Sequence, residues 1–202
     1  DKYGSALYGF NKLFLLMEKQ HNRGHDGIGI GCVKLNMELG DPYIFRERSA
    51  SRDSLTVVFK KLMDRYYQVC KRRDIDPDDP ANVSRYFDFG GEVLMGHLRY
   101  GTSGESALKN VQPLFSELNI GGVAIAHNGN ITNALSLRDE LIKKGSIFQS
   151  TSDTETILQL VARSNNSRTI DRLVDALMQI SGAWALVVLT LSLIHISEPT
   201  RR

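Results

Sequence analysis

Apolar residues recur every three or four positions in several stretches of the chain, and this spacing predicts amphipathic helices. One such helix is predicted over Tyr3–His21, and a second one opens at Asp53. Further along, Thr132–Lys144 is predicted as a helix that Gly145 ends, and another helix is predicted over Ile170–Ile180. Each of these helices has an apolar face that must pack against another part of the fold.

A further helix is predicted over Asp153–Arg163, because Ser152 and Glu155 form a capping-box pattern at its start. The helix that opens at Asp53 cannot continue through Arg73–Asn82, which contains the sequence DPDDP. Proline removes a backbone donor and clashes with the preceding turn, so this segment is predicted to be a loop.

Short apolar segments between these helices are typical of strands. Strands are predicted over Ile28–Leu35, Glu92–Arg99 and Gly122–His127, and a final buried strand over Gly182–Thr190. Because strands and helices do not alternate strictly, we expect a layered α/β or α+β domain in which helices cover sheets.

Composition narrows the class of protein further. The chain has 202 residues, enough for one domain with a substantial core, and its net charge of +2 gives no case for a nucleic-acid partner. The longest apolar run, Ala183–Leu191, is about half of the ~20 residues that a membrane helix needs. Cys32 and Cys70 form neither a disulfide framework nor a metal-ligand pattern, so a cytoplasmic location is expected.

The ends of the chain depart from this pattern. Leu191–Arg202 abandons the preceding strand pattern and looks like a translated adapter sequence. We therefore expect one domain over residues 1–190, followed by a non-native tail over residues 191–202. The ragged start indicates a fragment of a longer protein.

The segment His127–Asn130, with Asn128 and Gly129 at its centre, has two interpretations. Asparagine followed by glycine is the strongest short signal for a tight turn. A side-chain amide and a glycine N–H at a strand end can also form a two-donor oxyanion hole. The pattern alone leaves both open.

Arg99 and Asp153 are candidates for holding the two charged ends of an amino acid. The guanidinium fork of Arg99 matches a carboxylate, and a glycine loop, Gly101–Gly104, follows it. A surface salt bridge would also explain Arg99. Asp153 can bind an ammonium group, or it can simply complement the dipole of the helix that it opens.

Four segments together resemble, in order and spacing, the glutaminase domain of class II glutamine amidotransferases. The resemblance covers about Tyr3–Thr190, and its motifs are RGHDGIGIG, GHLRYGTSG followed by NVQPLF, AHNGNITN, and GSIFQSTSDTE. NVQPLF and GSIFQSTSDTE favour the branch whose second domain is a phosphoribosyltransferase over the glucosamine-6-phosphate synthase and asparagine synthetase branches.

The resemblance implies an α+β fold, the four-layer αββα sandwich of N-terminal-nucleophile hydrolases. It implies that Arg99 holds the carboxylate of glutamine and that Asp153 holds its α-ammonium group. Asn128 and Gly129 match the oxyanion hole, and Arg23 matches an arginine near the nucleophile. In this family the nucleophile is an N-terminal cysteine whose own α-amino group is the base, with a reference pKa of ~7.7–8.

The chain departs from the family pattern in several places. The nucleophilic cysteine and the strand that follows it are absent, so the chain as given is expected to be inactive alone. His25 stands where the family usually has glutamine, and Ile28 stands where it usually has a small residue. The stretch Asn36–Gly90 looks like a lineage-specific insertion.

The resulting hypothesis is a glutaminase domain that releases ammonia for phosphoribosylamine formation in purine biosynthesis. The alternatives are a non-catalytic amino-acid-binding or interaction domain, or the glutaminase domain of another branch such as glucosamine-6-phosphate synthase. The expected partners are glutamine, a phosphoribosyltransferase domain of the same chain and further copies in a homo-oligomer, with neither nucleic acid nor membrane. No cofactor or metal is expected in this domain, and Mg²⁺ is expected in the second one.

Overall fold

Two three-stranded antiparallel sheets form the framework of the described chain. The computed structural model describes residues 5–20, 26–38, 40–51, 54–100 and 107–191. The chain divides into two compact units, Asp1–Pro113 and Leu114–Arg202, and each contains one of the sheets and its own apolar core. Antiparallel sheets combined with helices confirm the predicted α+β class.

The first unit is built around a buried middle strand, β1 (Ile28–Val33). Ile28, Ile30 and Cys32 pack in the core, and side chains alternate along a strand. Gly29 therefore faces the other way, where an added Cβ would overlap the carbonyl oxygen of Gln112. The other elements of this unit are β2 (Ile44–Ser49), β3 (Val93–Leu98), α1 (Tyr8–Gln20), α2 (Ser54–Arg73) and α3 (Pro80–Tyr86).

The second unit is built around a long middle strand, β5 (Gly121–Ile131), with antiparallel neighbours on both sides. Its buried face carries Val123 and Ile125, which pack with Ile157 and Val161. The other elements are β4 (Leu114–Leu118), β6 (Gly182–Thr190), α4 (Ala134–Lys143), α5 (Asp153–Arg163) and α6 (Thr169–Leu177).

The five predicted helices are all present within the described residues, and α5 has the predicted bounds. The predicted loop Arg73–Asn82 is wrong at its end, because Pro80 starts α3. Proline is favoured in the first turn of a helix, where its missing N–H costs nothing. Asp79 caps this helix, and its carboxylate accepts a hydrogen bond from the Ala81 N–H at 2.8 Å. None of the helices in the described ranges is long and apolar enough to cross a membrane.

The predicted final strand exists as β6, but the expectation that it is buried is wrong over most of its length. It is the outer strand of its sheet in the described part of the chain, so only β5 pairs with it there. Leu189 and Thr190 are buried, whereas Trp184 and Val187 are exposed. Two strands, β2 and β4, were not predicted at all.

Candidate functional site

The segment around Asn128 is a strand and not a turn. β5 continues through Asn128 and Gly129 as far as Ile131, and it pairs with β6 along this whole stretch. Asn128 lies opposite Ala185, and Gly129 lies opposite Trp184. The tight-turn interpretation is therefore wrong, and the exposed end of a middle strand presents these residues.

Gly129 occupies a place in this ladder that only glycine fits. Its φ is 142°, a backbone conformation that side chains with a Cβ rarely adopt. An added Cβ would overlap the carbonyl oxygen of Ala183 and lie 2.9 Å from the Cα of Trp184. The glycine thus lets β6 approach β5 closely while Asn128 remains exposed.

Asp153 is fixed to the end of the same strand. It is the first residue of α5, and its Oδ2 accepts a hydrogen bond from the Ile131 N–H at 3.1 Å. The Oδ1 atom lies 3.7 Å from Nδ1 of His127, and it also accepts a hydrogen bond from the Thr154 hydroxyl at 3.4 Å. The second unit therefore brings Asp153 to the part of β5 that carries Asn128 and Gly129.

The surroundings of Asp153 keep it ionised. Burial by itself would raise the pKa of this carboxyl. The neighbouring His127 ring and the N–H groups of Ile131 and Thr154 outweigh burial, so the pKa lies below its ordinary value. The side chain is 29% exposed. An ionised and partly accessible carboxylate can accept an ammonium group.

His127 is a part of this arrangement to which the sequence analysis assigned no role. The ring is buried in β5, and its Nδ1 lies 3.2 Å from the Thr154 hydroxyl oxygen. His127, which directly precedes Asn128 on β5, therefore contacts the start of α5. The only hint in the sequence is that His127 directly precedes Asn128 in the motif AHNGNITN.

The start of α5 differs from the predicted capping box. Ser152 caps the helix, and its hydroxyl accepts a hydrogen bond from the Thr154 N–H at 3.3 Å. In a capping box the Glu155 carboxylate would also accept a hydrogen bond from the Ser152 N–H. That bond is absent from the described contacts, because this carboxylate accepts hydrogen bonds from Gln149 and Ser150 instead. The helix start was predicted correctly, but the role of Glu155 was not.

Arg99 follows β3 in the first unit, and its backbone is held firmly. Its N–H donates to the Gly27 carbonyl at 2.8 Å, and its carbonyl accepts from the Asp26 N–H at 3.1 Å. Its Nη1 atom is buried and has no hydrogen-bond partner within the described ranges. The ion pairs found among the described residues do not include Arg99, so the salt-bridge interpretation has no partner there.

The predicted site residues belong to different units of the chain. Arg99 belongs to the first unit, whereas Asn128, Gly129 and Asp153 belong to the second. Arg23 lies outside the described residues, as do His25, the loop Gly101–Gly104 and the tail residues Ser192–Arg202.

Neither cysteine is placed to be a nucleophile. The chain has two, and both are free and buried. Burial is the main reason that the pKa of the Cys32 thiol is raised to about 11. Relative to the ordinary thiol pKa of 9.0, this lowers the thiolate fraction at pH 8 roughly a hundredfold.

We therefore expect the folded 202-residue chain to resist thiol labelling and to lack glutaminase activity. Labelling with a chromogenic disulfide reagent at pH 8 should be at least about a hundredfold slower in buffer than in urea. Glutamine hydrolysis that disappears when Cys32 is alkylated would contradict this expectation.

Comparisons with known proteins agree with this arrangement. Residues 101–192 match the family described as a glutamine amidotransferase domain. Over 137 residues, 67% of the chain, it is 52% identical to the amidophosphoribosyltransferase of Rhizobium etli, covering 27% of that protein. The chain contains a glutamine amidotransferase domain. This domain is similar to the corresponding part of amidophosphoribosyltransferases, whose solved structures are of the N-terminal-nucleophile class.

Solved structures support the same assignment for the fold of this glutamine amidotransferase domain. One is the glutamine phosphoribosylpyrophosphate amidotransferase of Bacillus subtilis complexed with ADP and GMP, at TM-score 0.64 and 29% identity over 87% of the chain. A second, described as the allosteric regulatory enzyme of purine biosynthesis, has TM-score 0.67 and 28% identity over 88%. The chain spans only about a third of either protein, 31% and 32% respectively.

Proposed function

We propose that this glutamine amidotransferase domain is the glutaminase part of an amidophosphoribosyltransferase. It would hydrolyse the side-chain amide of glutamine and supply the ammonia from which a phosphoribosyltransferase domain makes phosphoribosylamine in purine biosynthesis. The observation that carries the proposal is the joint placement of Asn128, Gly129 and Asp153 at one end of β5. An amide side chain, a glycine N–H and an ionised carboxylate in one region of the second unit support the assignment of an oxyanion hole beside an ammonium-binding group.

Chemistry and the family resemblance together give each site residue a role in this proposal. Arg99 binds the α-carboxylate of glutamine through its guanidinium fork. Its buried Nη1 has no hydrogen-bond partner among the described residues, so it can donate to that carboxylate. Asp153 binds the α-ammonium group. The Asn128 amide and the Gly129 N–H stabilise the oxyanion that forms at the side-chain carbonyl. Arg23 is assigned to the surroundings of the nucleophile.

The reaction requires a nucleophile that the family resemblance supplies as an N-terminal cysteine. Its thiol loses a proton to its own α-amine and attacks the carbonyl carbon of the glutamine side chain. The tetrahedral intermediate collapses to a thioester as ammonia leaves with the proton. Water then hydrolyses the thioester to glutamate and restores the thiol.

Further parts of the proposal concern the whole protein. We place it in the cytoplasm, as a homo-oligomer without nucleic-acid or membrane partners. The second domain of the same chain would bind Mg²⁺, whereas this domain would work without a cofactor. Among the described residues, no group of three or more His, Cys, Asp or Glu side chains could hold a metal ion.

Binding of glutamine can be measured without the nucleophile, so it tests the proposal in the 202-residue chain. L-glutamine should bind at least about tenfold more tightly than glutaramate, which has the same carboxylate and amide but no α-ammonium group. Asp153→Asn should remove this preference, and Arg99→Ala should weaken both ligands. Titration calorimetry measures all six affinities.

The matched control is Asp171→Asn, which also removes an acid from the first turn of a helix. It should leave both affinities unchanged. Because the pKa of Asp153 is lowered, affinity for L-glutamine should persist down to pH 3.8 and be lost as the pH falls through the lowered value. Equal binding of the two ligands by the unaltered chain would contradict the assignment of Asp153.

A further inference from the structure

The carboxylate of Glu155 lies at the centre of a buried hydrogen-bond cluster. Its Oε1 accepts from the Gln149 N–H at 2.7 Å. Its Oε2 accepts from the Ser150 N–H at 2.7 Å and from the Ser150 hydroxyl at 2.6 Å. Glu155 is only 7% exposed, and both of its bonds from Ser150 are buried, whereas the bond from the Gln149 N–H is partly buried. Short bonds to a buried carboxylate are among the strongest that a side chain makes.

These hydrogen bonds join Glu155 back to Gln149 and Ser150, and so close a ring of main chain of which Asp153 is a member. Glu155 lies on α5, and Ser150 lies in the loop that leads into the helix. The closed segment between them contains Asp153. Inside the ring, the Ser150 hydroxyl accepts a further hydrogen bond from the Ser152 N–H at 3.2 Å.

The same loop is also held from outside the ring. Arg138 on α4 donates to the Ser150 carbonyl at 2.9 Å, and Gln159 on α5 donates to the Ile147 carbonyl at 2.8 Å. Asp153 itself is fixed through its side chain, by the Ile131 N–H. Its main chain is thus set by Glu155 and its carboxylate by β5.

We infer that Glu155 is a positioning residue for glutamine: it holds the main chain at Asp153 so that the carboxylate meets the α-ammonium group without rearranging. The inference rests on the proposed role of Asp153. Glu155 does not itself contact the ligand in this arrangement. It acts by keeping the loop ordered before the ligand binds, so that binding does not have to order it.

The cluster requires a carboxylate and cannot be satisfied by the isosteric amide. Glutamine at position 155 would have one acceptor oxygen and one NH₂ group. Whichever way the amide turned, a donor would face either the Gln149 N–H or the Ser150 N–H. The Ser150 hydroxyl can rotate and accept, but a backbone N–H cannot. Glu155→Gln should therefore break the hydrogen bond from the Gln149 N–H or the one from the Ser150 N–H.

The test compares Glu155→Gln with Glu140→Gln, a matched control that removes the same charge from an exposed position on α4. Amide hydrogen exchange by NMR should show Gln149 or Ser150 exchanging at least about tenfold faster in Glu155→Gln only. Affinity for L-glutamine should fall by about tenfold, while affinity for glutaramate changes by less than about twofold. Circular dichroism establishes that the variant is folded.

A double-variant cycle separates positioning from a general structural effect. If Glu155 acts through Asp153, then Glu155→Gln should have almost no further effect on L-glutamine affinity in the Asp153→Asn background. Equal losses of affinity for L-glutamine and glutaramate would overturn the inference, as would unchanged exchange at both amides. Failure of the proposed function is recognised separately, because the unaltered chain would then show no preference for L-glutamine.

Discussion

Replacing Gly129 with alanine is expected to lower the free energy of unfolding of the 202-residue chain by about 3 kcal/mol or more. An added Cβ would overlap the Ala183 carbonyl oxygen, which belongs to the backbone of β6 and cannot rotate away. The φ of 142° adds backbone strain to this overlap. The two strands must separate or twist to relieve both. Urea unfolding followed by circular dichroism measures the change.

Gly145 provides the matched control for this substitution. It also has a positive φ, of 88°, but an added Cβ there meets nothing within 4 Å. Gly145→Ala should therefore cost only the conformational strain, about 1–2 kcal/mol. Equal destabilisation by the two substitutions would show that the close approach of β6 to β5 is not what selects glycine at position 129.

The second large effect is on catalysis. In a version of the protein that begins with the nucleophilic cysteine, Asn128→Ala should lower kcat about 10²–10³-fold, equivalent to ~2.7–4 kcal/mol. The amide of Asn128 would face charge that appears only in the tetrahedral intermediate. KM should therefore stay nearly unchanged. Steady-state kinetics of glutamate release measures both constants.

Asn130→Ala is the control on the same strand. Side chains two positions apart share one face of a strand, and both asparagines are exposed. Asn130→Ala should leave kcat within about threefold of the unaltered value, since the proposal gives Asn130 no oxyanion contact. Asn128 would lose its assigned role if its substitution raised KM at constant kcat, or if both variants lowered kcat equally.

Much of the fold was accessible from sequence because its helices have long, regular apolar faces. α5 is the best case, since Ser152 marks its start and its bounds are the predicted ones. The strand β2 was missed because IFRERS carries three charged residues and no apolar alternation. In the part of the chain that the structure describes, it is an outer strand of its sheet, where a charged side chain can remain exposed.

The candidate site shows where local pattern fails. Asn128 and Gly129 match the strongest short turn signal, yet they lie in a ladder with residues more than fifty positions later, at Trp184 and Ala185. No short stretch of sequence around position 128 includes the residues with which Asn128 and Gly129 pair. Similarly, Ser152 and Glu155 match a capping box, but the donors that Glu155 binds are on the preceding loop. A long-range strand pairing overrides the local signal in the first case, and hydrogen bonds from the preceding loop override it in the second.

The most direct test is a crystal structure of the 202-residue chain with L-glutamine bound. We predict the α-ammonium group within hydrogen-bond distance of the Asp153 carboxylate and the α-carboxylate on the guanidinium of Arg99. The side-chain carbonyl oxygen should lie next to the Asn128 amide and the Gly129 N–H. Glutamine bound away from Asp153, or with its carboxylate where the ammonium group is predicted, would contradict the assignment of this chain as a glutamine-hydrolysing domain.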